Sequence, residues 1–179
     1  MTNHSWKIQQ SDNVTVDRFH IQKDHVLLPN NGEMDFSYVS FEDGVCVLAI
    51  TANNEIVILK QYRHAVKEWQ WELPAGMIDQ HEEPLHAAKR ELLEETGYEA
   101  ETWTALGYFH PSAGSTSETI HLFLAADLMK TSDQSLEESE LISVYLKDWH
   151  DVMSLIQQGE FKHGAGLAAI LKYKLLMEN

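Results

Sequence analysis

Between Gly76 and Tyr98 the chain reads GMIDQHEEPLHAAKRELLEETGY, and the side chains best suited to chemistry are concentrated there. Glu91, Glu94 and Glu95 follow directly after Arg90. On a helix, where successive residues are about 100° apart, these carboxylates fall on neighbouring faces within one turn. Carboxylate oxygens are the ligands that hard divalent cations take, so the group reads as a cation site. Glu91 and Glu95 are four apart and like-charged, a repulsion that weakens a helix and that a bound cation would relieve. The ordinary alternative is a solvated acidic face, the usual outcome for charge runs on helices.

Local signals supply the helix. Pro84 suits a first turn, Glu82 and Glu83 sit at its positive end, and Gly97 is a natural stop, which predicts a helix from Pro84 to Thr96. Leu85, Ala88 and Leu92 then share a face for the core, and Arg90 is spaced to pair with Glu94.

Gly76, Glu82, Arg90, Glu91, Glu94, Glu95 and Gly97, with apolar Leu92 between, resemble the signature of the Nudix hydrolases. Only Tyr98 departs, standing where an aliphatic residue is usual. With average residue usage, such a register arises by chance on the order of once in a million. Gln61-Tyr62-Arg63 and Glu72-Leu73-Pro74-Ala75-Gly76 are similar to the corresponding pieces of the ADP-ribose pyrophosphatase branch.

The resemblance implies a cofactor, Mg²⁺ or alternatively Mn²⁺, held by Glu91, Glu94, Glu95 and the backbone carbonyl of Ala75. It gives Arg90 the task of holding the glutamates, and Glu82 that of an outer metal ligand or a cap of the preceding loop. Arg63 reads as a contact to substrate phosphate or as a surface ion pair, and Glu72 as part of a short strand leading into the site. A general base is expected on a late loop, in SLEESELISV, with Glu138 ranked ahead of Glu140. Glu140 is alternatively a metal ligand, and a solvated acidic loop is the reading without chemistry. Glu118, in the SAGSTSE loop, is expected to approach the substrate or a water on the metal. This branch also forms homodimers whose N-terminal strands cross to the partner, so Phe36 and Tyr38, with Phe41, are candidates to stack a base.

One element departs from the branch. Where Ser-Pro-Gly is usual the chain has Ser112-Ala113-Gly114, with Pro111 just ahead of it. The implied substrate is therefore ADP-ribose or a related nucleoside diphosphate sugar, GDP-mannose included, cleaved by water to a nucleoside monophosphate and a sugar phosphate. A nucleoside triphosphate pyrophosphatase is the alternative. A sensor that only binds nucleotide sugars is a third reading, and it would be free to lose the metal glutamates that this chain keeps.

Composition bounds the rest. A length of 179 residues with 44% hydrophobic content suits one main domain and a small addition. The formal charge of −15 argues against nucleic acid as partner, since phosphate contacts need clustered Lys and Arg. Val45 to Ile50 is the longest apolar run, too short to span a bilayer, and MTNHSWKIQQ lacks the pattern of a secretory signal, so a cytoplasmic protein with no membrane partner is expected. The single Cys46 lies inside that apolar run and is read as packing.

The predicted architecture is α/β, an α/β/α sandwich with a mixed sheet, preceded by a small antiparallel β unit. The antiparallel unit covers 1–43 and the hydrolase domain 44–179, with the loop HPSAGSTSE in the latter. Val14, Val16 and Phe19 are read as one apolar segment, and Trp69 and Trp71 as core. Strands are expected at Val45 to Thr51, Glu55 to Tyr62, Thr102 to His110, Thr119 to Ala126 and Leu141 to Leu146, and closing helices at about Asp148 to Gln158 and Gly166 to Met177.

Overall fold

Three antiparallel strands, β1 (Lys7–Val16), β2 (Phe19–Leu27) and β3 (Glu33–Ser40), open the chain in a computed structural model that describes residues 5–178. Residues 1–4 of the expected N-terminal unit, and Asn179, lie outside the described residues. The turn from β2 to β3 falls at Pro29-Asn30-Asn31-Gly32, where Asn31 takes φ 63° and Leu28 N–H donates to Gly32 O at 2.7 Å. The other turn corrects the sequence reading. Val16 and Phe19 lie on different strands and pair across a two-residue hairpin, with Asp17 at φ 54°. Asp tolerates that left-handed conformation, but Asp-Arg carries none of the usual glycine signal.

The chain divides into two units. One holds residues up to Glu42 together with His110–Thr119, and the other holds Asp43–Phe109 with the residues from Ile120 on. Two backbone hydrogen bonds tie the 110–119 loop to β3, from Val39 N–H to Ser115 O at 2.9 Å and from Ser117 N–H to Val39 O at 3.1 Å.

The larger unit is built on β4 (Gly44–Ala49), buried along its whole length. It continues through β5 (Ile56–Arg63), β6 (Glu68–Glu72), β7 (Ala75–Met77), α1 (Pro84–Thr96), β8 (Tyr98–Phe109), β9 (Ile120–Lys130), β10 (Ile142–Lys147), α2 (Trp149–Gln157) and α3 (Gly164–Met177). One sheet has the order β7-β4-β9-β8 and is mixed, with β4 parallel to β9 and the other pairs antiparallel. The second, β10-β5-β6, is antiparallel.

Alternation along β4 divides the core. Cys46 and Leu48 pack with Val152, Ala169 and Ile170 of α2 and α3, whereas Val45, Val47 and Ala49 pack with Ala87, Ala88 and Leu92 of α1. Neighbouring strand residues point to opposite faces, so a strand covered by helices on both sides must be apolar throughout, as GVCVLA is. The architecture is an α/β sandwich with a mixed sheet. Cys46 is fully buried, which pushes its thiol pKa up and keeps it inert. Trp71 packs against the core as expected, but Trp69 is 51% exposed and leans on Tyr62.

Candidate active site

Helix α1 carries the site, and both its ends are fixed. Pro84 occupies its first turn, and Gly97 ends it at φ 69°, donating its N–H to Leu93 O at 2.7 Å. Glycine adopts that conformation most readily, and a Cβ at this position would run into the Ser132 carbonyl. Leu92, Ala87 and Ala88 face the core, which turns the charged residues toward β7 and the loop before β10.

Arg90 is the hub of the charged face. Its Nε and Nη2 donate to the two Glu82 oxygens at 3.1 and 2.9 Å, Nη2 also to Met77 O at 2.9 Å, and Nη1 to Glu91 Oε1 and Glu94 Oε2 at 2.7 and 3.2 Å. These partners hold the guanidinium charged, Glu82 most of all, and Arg90 in return holds the Glu82 carboxyl below its usual pKa. Glu82 also accepts from Asp79 N–H at 3.0 Å, so it braces the loop that enters the helix.

Glu91 and Glu95 face β7. Glu95 accepts a hydrogen bond from Ala75 N–H at 2.9 Å, and the Glu91 carboxylate lies against Gly76. Burial raises the pKa of both; Glu140 adds to each shift through space, as do Glu94 to that of Glu91 and Glu91 to that of Glu95. Glu91, Glu94, Glu95 and Glu140 line one cavity of about 170 Å³, together with Arg90 and residues 135–137. Glu138 does not line it and is exposed.

The end of β9 and the loop after it are tied to the end of α1. Ser135 N–H donates to Glu94 O at 2.8 Å, Gln134 Nε2 to Glu95 O at 2.7 Å, Lys130 Nζ to Thr96 O at 2.5 Å and Thr131 N–H to Gly97 O at 3.0 Å. Carbonyls that the last turn of a helix leaves without partners are satisfied in this way. Gln134 is a site-building residue that the sequence reading missed. The tip of the loop is held separately, by Glu137 N–H donating to Glu140 Oε2 at 2.9 Å.

Arg63 forms a bidentate pair with Glu72, Nε to Oε1 at 2.9 Å and Nη2 to Oε2 at 2.6 Å. Glu72 is buried and the Arg63 side chain is 44% exposed, and the pair raises the arginine's pKa, with Glu95 and Glu140 contributing through space. Glu118, Phe36 and Tyr38 belong to the other unit. There Phe36 meets Trp6 edge-on at 5.4 Å and tilts against Tyr38 at 6.3 Å.

The donor set suits a hard divalent cation. Buried carboxylates with raised pKa values carry more negative charge than Arg90 alone balances, and oxygen ligands match Mg²⁺ or Mn²⁺. Among the described residues, no three such side chains already form a ready cation cage. Arg90 draws Glu91 and Glu94 to itself while Ala75 holds Glu95.

The profile of the NUDIX domain matches residues 40–170. The chain belongs to the NUDIX family. It is 34% identical over 154 residues to an ADP-ribose pyrophosphatase of Bacillus subtilis, covering 86% of this chain and 83% of that protein. It is also 39% identical over 125 residues to a methanol dehydrogenase activator of Bacillus methanolicus, covering 69% and 68%. A crystal structure of an ADP compounds hydrolase superposes on this Nudix fold with a TM-score of 0.86 at 19% identity, over 97% of this chain and 95% of that one. The protein is thus a Nudix hydrolase, an enzyme class that generally uses divalent metal ions. Among the described residues, no helix is long and apolar enough to cross a membrane.

Proposed function

We propose that this Nudix hydrolase cleaves the diphosphate of ADP-ribose or a related nucleoside diphosphate sugar with water, in the presence of Mg²⁺ or Mn²⁺. The products are a nucleoside monophosphate and a sugar phosphate. What carries the reading is the convergence of Glu91, Glu94, Glu95 and Glu140 on one cavity beside Ala75 and Gly76. A relative named ADP-ribose pyrophosphatase, matched over most of both chains, supports the substrate class.

Glu91, Glu94, Glu95 and the Ala75 carbonyl would hold the cation. A divalent cation, when bound, neutralises diphosphate oxygens and acidifies water. Arg90 orients Glu91 and Glu94 through its Nη1. Glu140, which lines the cavity, accepts the proton of the attacking water at its carboxylate, and Glu138 is the second candidate for that role. Arg63, oriented by Glu72, binds a substrate phosphate. Phe36 and Tyr38 stack the base across a homodimer interface, and Glu118 approaches the substrate from the 110–119 loop. The enzyme works in the cytoplasm on a small-molecule substrate.

The test is to incubate the purified protein with ADP-ribose, ADP-glucose and GDP-mannose, with Mg²⁺ and with a chelator. Mononucleotide should appear from at least one substrate and disappear on chelation. No release from any of them refutes the reading.

A further inference from the structure

Leu73 lies between the two halves of the proposed site. Glu72 before it holds Arg63, and Ala75 and Gly76 after it meet Glu95 and Glu91. The Leu73 side chain is buried, yet its backbone N–H is not paired within a sheet. It donates to the ring Nδ1 of His163 at 3.1 Å, 90 residues further along the chain.

His163 stands at the N-cap of α3. Its carbonyl accepts from Leu167 N–H at 2.9 Å, while its side chain makes no cap hydrogen bond to the helix and is turned to Leu73 instead. The ring has little room to move. Phe161 lies 6.4 Å away, centroid to centroid, and a Cβ on Gly166 would come within 3.1 Å of Nδ1. Leu73 and α3, through Ala169 and Ile170, share one core cluster, so the ring and the amide are held by the same packing.

We propose that His163 is a positioning residue of this hydrolase: as a neutral imidazole it accepts the Leu73 N–H and thereby fixes the segment from Glu72 to Gly76 against α1. The inference rests on the proposed site. Accepting at Nδ1 requires the proton on Nε2, and a protonated ring would present a donor to a donor. The charged groups that face the ring are Glu72 on β6 and Arg63 on β5, of opposite sign, while neighbouring Lys162 pairs with Glu68 at 2.8 Å. Burial lowers the His163 pKa, which keeps the acceptor form at neutral pH.

Acidification should therefore release the segment, and the Leu73 amide reports this without reference to turnover. In the full-length protein, its NMR shift and hydrogen-exchange protection should follow the titration of His163, which burial places on the acid side of the ordinary imidazole value of about 6.5. His163→Asn, whose Oδ1 can accept without titrating, should abolish that dependence and keep kcat within about threefold. His163→Leu should leave the amide unprotected and lower kcat by about ten- to a hundredfold with KM nearly unchanged. A Leu73 amide indifferent to His163, or a folded His163→Leu protein with wild-type kcat, overturns the inference. If the wild-type protein cleaves no nucleotide sugar the proposed function fails, and the amide titration still decides the role of His163.

Discussion

The Glu91 carboxylate occupies the space that a side chain at residue 76 would need. An ideal Cβ built on Gly76 would lie 2.1 Å from Glu91 Oε1 and 2.2 Å from its Cδ. Gly76 is not in a left-handed conformation, so what demands glycine there is proximity to the carboxylate. Gly76→Ala should displace the end of a flexible side chain and leave the backbone in place. Thermal unfolding should change by less than about 1 kcal/mol, while kcat falls by on the order of a hundredfold. A large loss of stability, or unchanged turnover, would show that the contact does something else.

Glu95 gives a prediction with a defined sign. Burial raises its pKa in the folded protein, so its contribution to stability is present below the unfolded value, about 4.3, and is lost as pH rises through the folded value. Above that folded value, and without metal, the folded protein bears a buried charge. Glu95→Gln, which can still accept from Ala75 N–H, should melt a few degrees higher than wild type in a chelator. Added Mg²⁺ should raise the melting point of wild type and barely move the variant. Calorimetry with and without metal reads both effects, and a less stable Glu95→Gln protein would contradict the account.

Gln134 connects the late loop to α1 through its bond to Glu95 O at 2.7 Å. Gln134→Ala should cost about 1 kcal/mol of stability and lower kcat about tenfold, by loosening the segment that leads to Glu140. Glu140→Gln should cost about a hundred- to ten-thousandfold in kcat, the range for loss of a general base, and Glu138→Gln far less. If Glu138→Gln is the more damaging of the two, their roles are reversed.

The Arg63–Glu72 pair is bidentate, a geometry an ammonium cannot reproduce. Arg63→Lys should raise KM about tenfold with a smaller effect on kcat. A change confined to kcat would remove Arg63 from substrate binding.

The N-terminal unit can be tested by deletion. A protein lacking residues 1–40 should become monomeric and bind substrate more weakly, as measured by sedimentation and by KM. A truncated dimer with unchanged KM would dissociate Phe36 and Tyr38 from the substrate.

Much of this was legible in the sequence because the signals were local. Pro84 and Gly97 bracket α1 where the structure has it, and the unbroken apolar run of β4 announced a strand covered on both faces. Strand β8 begins at Tyr98, ahead of the expected Thr102; Tyr98, Glu99, Ala100 and Glu101 already alternate half-buried and exposed, directly after the stop of α1 at Gly97 and with no turn segment between. The Asp17 turn was missed for want of a glycine. Other features were beyond any local reading. Nothing in TSDQSLEESE says that Gln134 reaches a helix carbonyl, and nothing near His163 reveals a partner 90 residues away.

The most direct measurement is mononucleotide release with Mg²⁺ from whichever of ADP-ribose, ADP-glucose and GDP-mannose is cleaved fastest, compared between wild type and Glu94→Gln, whose carboxylate lines the cavity yet is not among the buried residues. The account predicts a nucleoside monophosphate and a sugar phosphate from wild type and a loss of at least about a hundredfold in the variant, with its fold intact. Equal release by the two proteins would contradict it.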